Sequence, residues 1–120
     1  MSMEQFVAEL RDIIPLKETT RVGDIVLLAA EDPLVALYAY VTAIDPDPAG
    51  RRSWWNVTLQ TLTIPPQEVI WTLREPQFTG KEIFTFEGVA HFLQAVRFEA
   101  ARPPVTPGPE KRGPRLRVVK

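Results

Sequence analysis

Apolar residues return at helical spacing over the first fourteen positions. Phe6, Leu10, Ile13 and Ile14 fall at i, i+4, i+7 and i+8, one stripe of a helix over residues 2–14. Ser2 can cap that helix and Glu4 suits its first turn. Pro15 stops it, because the residue before a proline avoids the α region. Beyond Pro15 the rhythm changes to short apolar runs cut by turn residues. Arg21-Val22-Gly23-Asp24 is a turn that opens onto Ile25-Val26-Leu27-Leu28, a continuous run of strand length, and residues 29–33 form a second turn. Residues 34–44 fit two descriptions. Leu34, Leu37, Tyr38 and Val41 keep helical spacing after Asp32-Pro33, whereas Tyr38, Tyr40, Val41, Thr42 and Ile44 are strand formers; the strand is preferred.

Asp45-Pro46-Asp47-Pro48-Ala49-Gly50 is a loop by its turn chemistry. Residues 53–64 alternate cleanly, with Trp55, Val57, Leu59 and Thr61 on one side and Trp54, Asn56, Thr58 and Gln60 on the other. Pro65-Pro66 ends that strand, residues 69–73 give another, and residues 75–80 a loop. Residues 81–97 again admit two readings. In one, Ile83-Phe84-Thr85-Phe86 and residues 89–96 flank a two-residue Glu87-Gly88 turn. In the other, Val89, Phe92, Leu93, Val96 and Ala100 form one helical stripe. The hairpin is preferred because it gives Phe84 and Phe86 a paired strand. Many short strands without a βαβ rhythm predict a mainly β (α+β) fold: a small, partly open β-barrel of about five to six strands with an N-terminal helix.

Composition divides the chain in two. Its 120 residues fit one domain, assigned to residues 1–101, followed by a basic, Pro-rich C-terminal extension over 102–120 that holds five of the twelve prolines. Residues 1–100 carry eight Lys/Arg against fourteen Asp/Glu, a net of −6; residues 101–120 carry six against one, a net of +5. Such asymmetry is expected of a tail that contacts something. There is no cysteine, which removes disulfides, thiolate nucleophiles and Cys-ligated metals. The first twelve residues lack the apolar core of a signal peptide, and the longest uncharged apolar run, residues 33–44, is too short to cross a bilayer. The expectation is a cytoplasmic protein with no membrane contact.

The residues that could run chemistry are few. His91 is the only histidine, so a multi-histidine metal site is excluded, and a half-exposed strand or helix histidine is the plainer reading. Asp45 and Asp47 are two carboxylates in one loop, but alternating with prolines they shape turns rather than hold a cation, and no metal or cofactor is expected. Ser2 and Ser53, the only serines, stand in no nucleophile setting, and no phosphate-binding glycine loop occurs.

At Lys17-Glu18-Thr19-Thr20-Arg21 and Val22-Gly23-Asp24-Ile25 a basic segment and a glycine–aspartate turn launch an apolar strand behind a short helix. In this the chain resembles the small β-barrel binding domains of the PUA-like superfamily, ASCH domains included. The ASCH-type signature spaces Gly, Lys, Glu and Arg before that turn. With Lys17 matched, Pro15 stands where its glycine is expected, Thr20 at its acid and Val22 at its arginine. The resemblance implies RNA or modified-nucleotide binding.

One surface invites the same thought on its residues alone. Trp54 shares a strand face with Asn56, Thr58 and Gln60. Tyr38, Tyr40 and Thr42 share a face of the preceding strand, and Arg51 and Arg52 end the connecting loop. If the strands pair, aromatics beside arginines can stack bases or another planar ligand. In the tail, Arg112, Arg115 and Arg117 could contact a polyanion, and Leu116-Arg117-Val118-Val119 alternates enough to add to a sheet edge. The expectation is a non-enzymatic binding module for nucleic acid or nucleotide. The alternative is a protein–protein interaction domain using the tail or a sheet edge. The acidic body weighs against the first.

Overall fold

Helical periodicity at the N-terminus and strand-length runs after it resolve into eight elements. The computed structural model describes residues 2–98; the extension over 102–120, with Arg112, Arg115 and Arg117, lies outside the described residues. In chain order the elements are α1 (Met3–Ile13), β1 (Ile25–Ala30), β2 (Val35–Pro46), β3 (Trp54–Thr61), β4 (Glu68–Arg74), α2 (Glu75–Phe78), β5 (Phe84–Phe86) and β6 (Val89–Ala95). The strands form one antiparallel sheet in the order β4-β3-β2-β1-β6-β5, curled into a half-barrel. The mainly β, partly open barrel with an N-terminal helix is thus the fold observed.

α1 starts as its sequence suggests. The Ser2 hydroxyl accepts from the Gln5 backbone N–H at 3.1 Å, and the Gln5 side chain accepts from the Ser2 N–H at 3.0 Å, a reciprocal capping box. The buried stripe differs from the one expected. Met3, Val7 and Leu10 are buried while Ile13 is 75% exposed, because the sheet meets the helix about a fifth of a turn from the Phe6–Ile13 line.

β1 explains its own uninterrupted apolar run. Val26 and Leu28 point into the barrel with Val41, Val57, Leu59, Trp71 and Leu93. Leu27 and Ala29 point outward, where α1 covers them together with Phe92 and Val96. A strand covered on both faces has no polar side to display. Phe92 is fully buried in this second layer, a site whose burial stabilises by roughly 1.5–3 kcal/mol.

β2 is a strand, and it contains the reason for its helix-like spacing. Its pairing with β3 slips between Val41 and Ala43, so Val41 opposite Leu59 and Ile44 opposite Val57 both face inward despite odd and even numbering. The strand runs on through Asp45 and Pro46, residues expected in the loop. β1 likewise continues to Ala30, so the turn occupies residues 31–34 rather than 29–33. β3 stops at Thr61, short of residue 64: the Thr61 backbone N–H turns to the Gln67 carbonyl and its hydroxyl to the Gln67 N–H. The loop expected at residues 75–80 holds the single-turn α2, opened by Pro76. Residues 84–95 form the hairpin, not the helix. Glu87 and Gly88 have φ of +53° and +80°, the left-handed pair a two-residue turn needs.

β4 and β5 are the two edges of the sheet, and side chains rather than backbone bonds close the gap between them. The Trp71 ring of β4 lies 5.7 Å from Phe84, 5.5 Å from Phe86 and 5.2 Å from His91, centroid to centroid. His91 stacks on Phe84 at 5.7 Å, and its Nδ1 lies 2.8 Å from the Val89 carbonyl oxygen. The lone histidine is therefore part of an aromatic seam.

Candidate functional site

The loop between β2 and β3 is organised by one carboxylate. Asp47 Oδ1 accepts from the Ala49 N–H at 3.1 Å, its carbonyl accepts from the Gly50 N–H at 2.9 Å, and its Oδ2 accepts from Arg51 Nε at 2.5 Å. The Arg51 guanidinium, then the Ala49 N–H, hold the Asp47 carboxyl below its ordinary pKa. Arg51 is thereby placed over the Trp54 ring, 5.2 Å from its centroid. Arg74, opposite Trp54 on β4, lies 5.7 Å from the same ring and also pairs with Glu82 at 3.2 Å. Arg52 is exposed and its side chain has no ion pair or hydrogen bond among the described residues.

The expected constellation is therefore split. Arg51, Arg52 and Trp54 come together, joined by Arg74, which the sequence reading did not include. Tyr38 and Tyr40 do not join them. Tyr40 pairs with Gln60, six positions along β3 from Trp54, about 20 Å at strand rise. They share the outer face of the sheet but sit at opposite ends of it. Thr42, expected beside them, falls at the slip in register and donates to the Thr58 carbonyl at 3.3 Å.

The outer face itself is half covered. α1 lies over β1 and β6. Over β2, β3 and β4 nothing described lies on the sheet, and Tyr38 (42%), Tyr40 (41%) and Ile70 (57%) are exposed around Thr58 and Gln60, with Leu62 (53%) where the chain leaves β3.

A further feature went unnoticed in the sequence. Where β2 and β4 end and β3 begins, the barrel opens in a mouth of about 230 Å³ lined by Thr20, Ile44, Trp55, Glu75 and Phe78. A second hollow of about 410 Å³ shares Trp55 and Glu75 and adds Ser53, Arg74 and Pro76. Trp55, on the same side of β3 as Val57 and Leu59, packs against the core yet stays half-buried because its ring forms this rim. Thr20 is 7% exposed, and its hydroxyl is the one buried side-chain N or O without a hydrogen-bond partner among the described residues. The Glu75 carboxylate has no ion pair or hydrogen bond there either. By contrast, the cleft of about 360 Å³ beside α1 has its main cation already engaged, since Arg11 donates to the Gly80 carbonyl at 2.6 Å.

Among the described residues no group of three or more His, Asp or Glu side chains converges as a metal site, and no helix is long and apolar enough to cross a membrane. No protein-family model, curated protein or solved structure matches this chain.

Proposed function

We propose that this protein is a non-enzymatic module that binds another polypeptide on the uncovered outer face of β2, β3 and β4. One observation carries the reading: Tyr38, Tyr40 and Ile70 stand exposed on a sheet whose other half is sealed by α1, with Leu62 exposed just past the end of β3. Folding could have covered this face as it covered β1 and β6. Apolar side chains left together on a rigid sheet, interleaved with the hydrogen-bonding Thr58 and Gln60, have the composition of an interface core. The net −6 of residues 1–100 favours a basic partner over a phosphate backbone.

The test is a photo-crosslinking amino acid placed at position 40, with extract from cells of the protein's source. A single defined adduct is expected. It should vanish in Tyr38→Glu/Ile70→Glu, whose thermal melt should match that of the wild type. Adducts that survive the double variant, or none at all, would refute the assignment.

Nucleotide binding is the second reading, and the cluster of Arg51, Arg52 and Arg74 around Trp54 favours it. It agrees with the PUA-like resemblance. It is the weaker reading because two of the three cations are already paired with Asp47 and Glu82, which leaves Arg52 to meet a phosphate. Fluorescence anisotropy with a short single-stranded oligonucleotide, compared between wild type and Arg52→Ala/Trp54→Ala, separates the two readings.

A further inference from the structure

We propose that an extended polypeptide segment, alternating apolar residues with Lys or Arg, binds as a strand in the slot between β4 and β5 and completes the half-barrel. The inference rests on the polypeptide-binding reading above and names the element bound; Ile70 borders both the outer face and this slot. The backbone carries it. The Thr61 N–H donates to the Gln67 carbonyl, which fixes the alternation of the β3–β4 ladder. Val69, Trp71 and Leu73 therefore bond to β3, and the N–H and C=O of Ile70 and Thr72 face away from it. Across the slot, the Glu31 N–H donates to the Ala90 carbonyl, so Ala90 turns to β1 and its partner Thr85 faces away from β6. No hydrogen bond to the main chain of Ile70, Thr72 or Thr85 occurs among the described residues.

These three residues border one hollow of about 280 Å³, whose lining includes the buried Trp71 and Phe84 and the exposed Phe86. Trp71 packs on both phenylalanines from the opposite edge, so side chains and no ladder join β4 to β5. Another main chain is what offers N–H and C=O groups at the alternating spacing of a strand edge. β4 lacks the devices that block such pairing: no Pro, Lys or bulge stands between Glu68 and Arg74. The side chains of an added strand alternate, one set on the aromatic floor and the other outward beside Ile70 and Thr72. Charge selects the outward set. Glu68 opens β4 and Glu75 follows it, while Glu82 precedes β5 and Glu87 follows it, and all four are exposed. The cations among them are engaged: Arg74 is turned to Glu82 and Trp54, and Lys81 donates to the Glu18 carbonyl at 3.3 Å. An acidic segment would meet these carboxylates and a body of net −6, whereas a basic one would be drawn in by both.

The experiment uses the whole chain and follows amide hydrogen exchange by NMR, residue by residue. The probe is acetylated, amidated Lys-Val-Lys-Val-Lys-Val-Lys. One control replaces its lysines with Glu, and another is N-methylated at the lysine amides, which on this pairing face β4. In the chain alone the amides of Ile70, Thr72 and Thr85 should exchange fast while those of Trp71 and Leu73 are protected. The basic peptide should slow exchange at all three at least tenfold, and each control should bind at least tenfold more weakly. Glu68→Gln/Glu87→Gln should weaken the basic peptide severalfold with an unchanged thermal melt, since neither carboxylate makes an ion pair or hydrogen bond among the described residues. Slow exchange at the three amides before any peptide is added would mean that the chain's own residues 102–120 or a second copy cover the edges, and would overturn the proposal. So would equal binding of either control, or binding that leaves the three amides unprotected. A position-40 adduct without this protection fails strand pairing alone; protection without the adduct fails the outer face alone and leaves strand pairing standing.

Discussion

Replacing Gly80 with alanine tests how the helical layer is fastened to the barrel. Gly80 has φ of +85°, and a Cβ built on it would lie 2.4 Å from Gln94 Cδ and Oε1. Gln94 cannot swing aside at little cost. It is 9% exposed, and its amide donates to the Lys17 carbonyl at 2.8 Å. On the other side of Gly80, Arg11 of α1 donates to its carbonyl. Two contributions then add. The left-handed backbone costs an alanine about 1–2 kcal/mol. Displacing Gln94 forfeits a hydrogen bond and leaves its partner groups poorly satisfied, about 1–3 kcal/mol more. Gly88 supplies the control, since its φ is +80° but nothing lies within 4 Å of the added Cβ. Gly88→Ala should therefore cost about 1–2 kcal/mol and Gly80→Ala about 2–5 kcal/mol in urea melts with unchanged slope. Equal losses at the two glycines would refute the steric argument. So would a loss in Gly80→Ala/Gln94→Ala equal to the sum of the single losses, because the two residues are in contact and should couple.

Other outcomes follow from neighbouring features. Trp55→Ala should cost about 2–4 kcal/mol, less than a fully enclosed tryptophan because the ring forms the mouth's rim, and Trp54→Ala about 1 kcal/mol; equal urea midpoints would sink the face assignment. Asp47 has a depressed folded-state pKa, so its stabilising effect is present above the ordinary value of 3.8 and is lost as pH falls through the folded value; the acid arm of the stability profile should flatten in Asp47→Asn. Because Arg51 occupies that carboxylate, millimolar calcium or magnesium should not raise the melting temperature, and a rise abolished by Asp45→Asn/Asp47→Asn would count against this. Glu87→Asn places a residue at ease with positive φ in the hairpin turn and should gain about 0.5–1 kcal/mol by thermal melt.

The elements that local physics controls were legible in the sequence. The Ser2 cap, the apolar run into β1, the alternation of β3 and the Glu87-Gly88 turn each lie within a few residues and were read as strands, turn and helix start. What went astray depends on partners distant in sequence. The stripe of α1 could not be phased until β1 and β6 fixed which side faces the sheet, so Ile13 stood in for Val7. The register slip at Thr42 is set by β3 and re-phases β2 without a mark of its own. The Tyr38, Tyr40 and Trp54 grouping failed for the same reason: face parity is local, but position along a pair depends on the hairpin, and the loop after Pro46 puts Trp54 at the far end. Thr20 and Glu75 gave no signal, since an unsatisfied hydroxyl exists only relative to the atoms packed around it.

The strand order also bears on how the chain finds its shape. β1 to β4 are joined in sequence by short turns, as are β5 and β6, so each group assembles from near neighbours. A single ladder, β1 with β6, joins them by pairing Val26 with Ala95 and Ala30 with His91. Closing that ladder also creates the layer that receives α1, because Leu27, Ala29, Phe92 and Val96 meet only then. Loop-closure entropy opposes this step more than any other pairing in the sheet, and its rewards in both apolar layers come together. Lesions in the hairpin formed beforehand or at the β1–β6 contact, such as Val57→Ala and Phe92→Leu, therefore act chiefly on the folding rate, whereas one on the face of α1 that docks afterwards, such as Val7→Ala, acts chiefly on the unfolding rate.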